Sequence, residues 1–181
     1  FANDYNNRTH RYSMRLKDKV SIITGAGRGI GQATAVKFAR EGAKIVVSDV
    51  SADAIAETVQ LCESEGAQTL GVVADVTDKK SLQKMVDATL AKFGRIDCLV
   101  NNAGIVADAQ MKNMTDEQFD KVIAVNLKGV FNCTKAVVDT MLAQKSGVIL
   151  NSSSIVGLYG NFGQSNYAAA KFGVIGMADR K

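Results

Sequence analysis

Thr24-Gly25-Ala26-Gly27-Arg28-Gly29-Ile30-Gly31 lies between an apolar run, Val20–Thr24, and a segment of helical periodicity, Ile30–Glu41. Glycines in such a connection let a strand turn sharply into a helix. They also allow backbone N–H groups and the positive end of that helix to approach a diphosphate. The order is Gly-x-x-x-Gly-x-Gly, unlike the commoner Gly-x-Gly-x-x-Gly, although Gly27 also lies inside it. A glycine-rich turn without a ligand is the plainer alternative, but the strand-to-helix placement favours a phosphate site. Its candidate residues are Gly25, Arg28, Gly29, Ile30 and Gly31.

Outward from this loop, short β-branched runs alternate with longer helical patterns. Strands are predicted at Val20–Thr24, Lys44–Asp49, Thr69–Asp75, Cys98–Asn101 and Val148–Ser152. Helices are predicted at Ile30–Glu41, Ala52–Glu65, Ser81–Phe93 and Thr115–Ala143, the last long enough to be two. Gly42, Gly66 and Gly94 follow helical patterns at the position where a left-handed backbone ends a helix. Strands alternating with helices imply an α/β fold, a doubly wound parallel sheet of Rossmann type in three α/β/α layers.

The chain has 181 residues, 46% apolar and 22% charged, which excludes a disordered chain. One domain is expected over residues 14–181. Residues 1–13, ahead of Met14, look like an extension or expression scar, and lone His10 within them has no expected catalytic or metal role. No apolar stretch approaches the ~18 residues of a membrane span, and residues 1–13 lack the apolar region of a secretory signal. Cys62, Cys98 and Cys133 are widely spaced, which fits reduced, buried thiols and neither a disulfide framework nor a metal site. A cytoplasmic protein is expected, without membrane partners. A net charge of +4 without a basic run argues against a nucleic-acid partner.

Asp49 ends the second strand 18 residues beyond Gly31, near the distance at which a carboxylate meets an adenosine ribose. There it would accept hydrogen bonds from the ribose hydroxyls and repel a 2′-phosphate, so NAD is favoured over NADP. Arg28 is the counterweight, because a guanidinium pairs with phosphate. Alternatively Asp49 only caps the turn into the second helix, a task that Ser51 or Asp53 could also perform.

With the glycine loop, Asn101-Asn102-Ala103-Gly104, Asn126 followed by Gly129, and the set Ser154, Tyr167, Lys171, the chain resembles the classical short-chain dehydrogenase/reductase family from Leu16 to about Ala178. Within it, Asn161-Phe162-Gly163-Gln164-Ser165-Asn166-Tyr167-Ala168-Ala169-Ala170-Lys171 looks most like the 3-oxoacyl-(acyl carrier protein) reductases. Tyr167 and Lys171, four apart, share one face of a helix, and an ammonium beside a phenol favours the phenolate, which suits acid–base work. The resemblance implies that Lys171 also holds the nicotinamide ribose and that Asn126 supports a proton relay through it. Three serines, Ser152, Ser153 and Ser154, could meet a substrate oxygen, and the family pattern selects Ser154. By the same resemblance Asp75 and Val76 contact adenine, though Asp75 could equally cap a helix, and Asn102, Ala103 and Gly104 bring backbone to the cofactor.

The expected activity is metal-free hydride transfer between NAD(P)(H) and a small-molecule carbonyl or secondary alcohol, with an acyl thioester as a candidate substrate. The alternatives are a catalytically silent nucleotide-binding or interaction protein, or a dehydrogenase of sugars or small alcohols. The family resemblance further implies a homo-oligomer, dimer or tetramer. Finally, there is no proline where average usage of ~5% would give about nine, and nothing after Tyr167 reads as a sixth strand. The chain is therefore expected to lack its C-terminal strands, to leave one flank of the fifth strand open, and to uncover Phe172, Val174, Ile175 and Met177. A polypeptide ending at Lys181 would then have little dehydrogenase activity, an expectation that turnover by a species of verified mass would end.

Overall fold

Val20–Thr24 forms β1, with all five residues buried, and the run of β-branched side chains suits a strand covered on both faces. The computed structural model describes residues 14–178; the expected 1–13 extension with His10, and residues 179–181, lie outside the described residues. After β1 come α1 (Gly29–Arg40), β2 (Lys44–Asp49), α2 (Ala52–Ser64), β3 (Thr69–Val73), α3 (Lys79–Phe93) and β4 (Cys98–Asn101). Then follow a short 3-10 turn at Met111–Asn113, α4 (Asp116–Ile123), a π-helical segment (Ala124–Lys128), α5 (Gly129–Gln144), β5 (Val148–Asn151), α6 (Ile155–Tyr159) and α7 (Ser165–Gly176). The five strands are parallel in the order β3-β2-β1-β4-β5. Strand order therefore reverses between β1 and β4, which opens a crevice at their C-terminal ends.

Period-two alternation divides the apolar side chains between two cores. Ile22, Val46 and Leu99 pack with Leu82, Met85, Cys133 and Val137 from α3 and α5. Their neighbours Ile23, Ile45, Val47 and Val100 pack on the other side with Ala35, Ala39, Ile55 and Cys62 from α1 and α2. The sheet is thus the middle of three layers, as the alternating pattern requires. All three cysteines are free, and burial pushes their thiols up to about 11 for Cys62 and Cys98 and about 12 for Cys133.

Several expected boundaries change. β3 stops at Val73 and not Asp75, and β5 at Asn151 and not Ser152. Asp75 instead closes a tight turn, accepting the Thr77 N–H and hydroxyl at 2.8 Å each. It is not the cap of α3: Asp78 is, accepting the Lys80 N–H at 2.9 Å, so that helix starts at Lys79. The predicted helix over Thr115–Ala143 is α4 and α5 joined through the π segment, where the Gly129 N–H reaches back five residues to the Ala124 carbonyl. Such a bulge inserts one residue into a turn and leaves the axis continuous.

β5 pairs with β4 alone among the described residues, and Val148 and Leu150 are about half exposed. Phe172 on α7 and Met177 just beyond it are exposed as expected, and Ile175 is half-buried. Val174 is not uncovered: at 1% exposure it is buried, because α7 packs on α4 and the π segment.

At the opposite end of the strands, Glu41 follows α1 in a nearly buried position. Its carboxylate takes the Arg15 guanidinium at 3.0 Å and the Lys37 ammonium at 3.1 Å. Hydrogen bonds from Arg15, then Lys37, hold its pKa at about 2, against an ordinary 4.5. A carboxyl with a depressed folded pKa contributes stability above its unfolded pKa and loses it as pH falls through the folded one. Glu41→Gln should therefore melt below the parent at neutral pH, with the gap closing between about 4.5 and about 2. A gap that does not change with pH in thermal melts would remove the ion pair from the account.

Candidate active site

Two adjoining cavities fill the crevice. One, of about 390 Å³, is lined by Gly25, Arg28, Asp49, Asp75, Val76, Asn102 and Gly104, among others. The second, of about 530 Å³, shares Arg28, Asn102, Gly104 and Ile105 with it and adds Ile30, Val106, Ser152, Ser153, Tyr167 and Lys171. The sequence-predicted residues from the two ends of the chain thus meet in one cleft.

Its floor is built where β1 and β4 end. Gly25 has φ +62°, and a side chain there would stand 2.7 Å from Ala103 Cα. At Gly31 a Cβ would lie 2.6 Å from Asn102 Nδ2, so the loop closes on β4 only because both positions lack one. Asn102 braces this contact, with Nδ2 donating to the Thr24 and Gly25 carbonyls at 3.0 Å each. Sequence reasoning gave Asn102 a backbone contact with the cofactor; its side chain proves to be a cross-link. The buried Thr24 hydroxyl accepts the Asn102 and Ala103 N–H groups at 3.1 Å, a tie that pattern reading missed although Thr24 opens the glycine motif. Arg28, Gly29 and Ile30 are exposed at the lip, and Gly31 is buried under it. Gly29 has φ +58° with open space where a side chain would stand, so the loop presents backbone to the cleft. The fit to a diphosphate rests on that backbone and on the N-terminus of α1, which carries no acidic residue in its first turn.

Asp49 lies at the cleft and is also tied into the backbone. Oδ2 accepts the Gly27 N–H at 2.9 Å, and Oδ1 accepts those of Val50 and Ser51 at 2.8 and 3.2 Å. Ser51, not Asp49, caps α2. The carboxylate is therefore held in one orientation with lone pairs left over for further donors.

Tyr167 and Lys171 share a face of α7, with the Lys171 ammonium 5.6 Å from the centre of the Tyr167 ring. Lys171 is only 4% exposed, its Nζ donates to the Ser152 carbonyl at 2.6 Å, and burial lowers its pKa from the ordinary lysine value. Of the three serines, Ser152 and Ser153 line the cavity. The Ser153 hydroxyl donates to the Lys171 carbonyl at 2.9 Å. Ser154 is not among the lining residues: it caps α6, its hydroxyl oxygen accepting the Val156 N–H at 3.2 Å, which leaves its own proton free.

Asn126, fully buried in the π segment, does not line either cavity. Its amide forms a two-point clasp with Ile105, accepting the N–H and donating to the C=O at 2.8 Å each. Among the described residues no cluster of three or more His, Cys, Asp or Glu gathers as a metal site, and no helix is long and apolar enough to cross a membrane.

Fold and cleft together define a dinucleotide-site protein of the doubly wound class, with a Tyr–Lys pair facing the glycine loop. The sequence matches the short chain dehydrogenase family over residues 19–180, and the chain belongs to that family. It is 50% identical over 164 residues to the 3-oxoacyl-[acyl-carrier-protein] reductase FabG of Thermotoga maritima, covering 91% of this chain and 67% of the relative. It is 47% identical over 166 residues to the 3-oxoacyl-[acyl-carrier-protein] reductase of Synechocystis sp., covering 90% and 66%. Among solved structures, levodione reductase superposes with a TM-score of 0.87 at 42% identity, and NAD+-bound xylitol dehydrogenase with 0.88 at 33%. Each alignment covers 90% of this chain, and 64% and 63% of those chains respectively. The chain thus spans about two thirds of the length of the relatives it matches.

Proposed function

We propose that this protein is an NAD(P)-dependent oxidoreductase that interconverts a carbonyl and a secondary alcohol, with a 3-oxoacyl thioester as its substrate class. The observation that carries the reading is Tyr167 and Lys171 together on the wall of a cleft whose other wall is the glycine loop. The similarity to two 3-oxoacyl-carrier-protein reductases supports the substrate class.

A nicotinamide dinucleotide, when bound in the cleft, supplies or takes up the hydride. The backbone of Gly25 to Gly31 and the N-terminus of α1 hold its diphosphate, Asp49 its adenosine ribose, and Asp75 with Val76 its adenine. Asn102, Ala103 and Gly104 form the floor beneath the remainder. In the reductive direction Tyr167 gives its phenolic proton to the substrate oxygen, and in oxidation it takes that proton back. Lys171 stabilises the phenolate left behind and donates to the nicotinamide ribose. By the family pattern Ser154, next to the cavity-lining Ser153, turns its free hydroxyl proton to the substrate oxygen as negative charge develops there. Asn126 acts through Ile105, keeping the floor in register with the relay.

NAD is favoured over NADP. Asp49, anchored by three backbone N–H groups, offers lone pairs to ribose hydroxyls and repels a 2′-phosphate, and one similar structure is NAD+-bound. Asp49→Asn should raise the NADPH-to-NADH preference about tenfold, the equivalent of ~1.4 kcal/mol. An unchanged ratio of kcat/KM values would leave Asp49 only its role in the turn.

The three free, buried cysteines agree with action in the reducing cytoplasm. A homo-oligomer is supported by Phe131, Leu142 and Phe172, exposed on α5 and α7, and light scattering that gives a monomer at working concentration would count against it. The activity itself is tested with NADH and NADPH in parallel, on the longest form of the protein, against β-keto thioesters, diketones and secondary alcohols. Cofactor binding with no turnover across that panel would favour a silent nucleotide-binding protein.

A further inference from the structure

We propose that Asn166 is a positioning residue for Tyr167, fastening the first turn of α7 to the strip of chain that floors the cleft. The proposal rests on the catalytic reading above for its consequence and on geometry alone for its mechanism.

Asn166 is 0% exposed, and its amide is used at both ends. Oδ1 accepts the N–H of Tyr167 at 2.7 Å. Nδ2 donates to the Ala107 carbonyl at 3.0 Å and to the Gln118 carbonyl in α4 at 3.3 Å. The first N–H groups of a helix have no partner within it, and the residue preceding α7, Gln164, makes no capping bond of its own. The Asn166 amide therefore satisfies an N–H at the Tyr167 position while holding that turn to two other parts of the chain. One of them is the segment Gly104–Ala107, whose Gly104, Ile105 and Val106 line the cavity beside Tyr167.

That segment is gripped twice. Asn126 clasps Ile105 from the π segment, and Asn166 holds Ala107 from α7. Two further contacts join the same strands of chain at the rim: Ala109 N–H to the Gly163 carbonyl at 2.9 Å, and Gln164 Nε2 to Asp108 Oδ2 at 2.9 Å. The rim contact through Gln164 is exposed and competes with water; Asn166 is itself fully buried and its contacts are part-buried, so they compete less. The spacing between the Tyr167 phenol and the floor is therefore set at Asn166. A shift of about 1 Å in a reacting group costs on the order of 100-fold in rate.

The test compares Asn166→Ala, Asn166→Asp and Gln164→Ala in the longest form of the protein. Asn166→Asp keeps the side-chain volume and the acceptor for the Tyr167 N–H but loses both donors, so it serves where the alanine variant folds poorly. Both Asn166 variants should lose about 100-fold in kcat, with near-parental dinucleotide affinity by fluorescence titration, since the glycine loop and Asp49 are untouched. Gln164→Ala should stay near the parent. Independently of turnover, hydrogen exchange should rise in residues 105–109 and 165–169 together in the Asn166 variants, and far less in Gln164→Ala. If the parent reduces carbonyls and the Asn166 variants keep its kcat, the positioning role is overturned while the function stands. If the parent turns nothing over, the function fails, and the exchange pattern alone decides the inference: joint loss of protection supports it and unchanged exchange overturns it.

Discussion

Tyr167→Phe is expected to leave dinucleotide binding intact and to remove most turnover. The substitution deletes one hydroxyl and preserves the ring, which lies under the Lys171 ammonium at 5.6 Å and on the wall of the 530 Å³ cavity. Packing of α7 should not change, because its buried contacts come from Asn166, Ala170, Lys171 and Val174. Loss of a positioned general acid typically costs about 10²–10⁴-fold in rate. The measurement is kcat with saturating dinucleotide beside an affinity from fluorescence titration. A parental kcat would mean that the substrate oxygen takes its proton from elsewhere, and Ser154 would be the first group to examine.

Lys171→Met is expected to match that loss of turnover and also to change the pH dependence of stability. A methionine fills a similar volume but removes the ammonium beside the Tyr167 ring, and about 10²–10⁴-fold in kcat should go with it. Desolvation lowers the pKa of Lys171 in the folded chain from the ordinary 10.5. The unfolded chain therefore binds more protons at this site between the two values, and stability rises with pH through that window. Methionine has no such dependence. The melting temperature of Lys171→Met relative to the parent should accordingly fall as pH rises towards 10.5, whatever constant offset comes from the lost bond to the Ser152 carbonyl. A difference that is flat with pH would show that the folded lysine titrates as it does in the unfolded chain.

Spacing places both residues on one helix face for a local reason, although by spacing alone an incidental pair on a solvated helix is the plainer reading and the other motifs are what single them out. Tyr167 and Lys171 converge because four residues make one turn of helix, a relation that holds wherever the helix is placed. The glycine loop was legible for a similar reason, since a strand, a tight turn and a helix N-terminus are neighbours in the chain. β1, β2 and β4 are short, nearly continuous apolar runs whose ends the structure reproduces to the residue.

The serines and the asparagines were not legible in this way. Ser152, Ser153 and Ser154 are adjacent, and their side chains take three different surroundings: cavity wall, the Lys171 carbonyl and the cap of α6. Resemblance selected Ser154, yet the cavity is lined by the other two. Asn166 stood in the quoted motif beside Tyr167 and drew no role, because nothing within a few residues of it supplies the acceptors it uses. The π segment was hidden as well, since one extra residue in a turn leaves the helical periodicity on both sides intact.

By itself the sequence determined the alternation of the five strands with α1 to α5, the parallel α/β class, the glycine loop and the common face of Tyr167 and Lys171, but neither α6 nor the π segment. Each of these depends on backbone geometry repeated over neighbouring residues. The tertiary structure alone decided what the buried and half-buried polar groups touch. Asn126 finds Ile105 across 21 residues, Asn166 finds Ala107 across 59, and Asn102 finds Thr24 across 78. A buried amide left unpaired costs free energy, but which carbonyl pairs it is set by how the layers pack, and no local pattern carries that information.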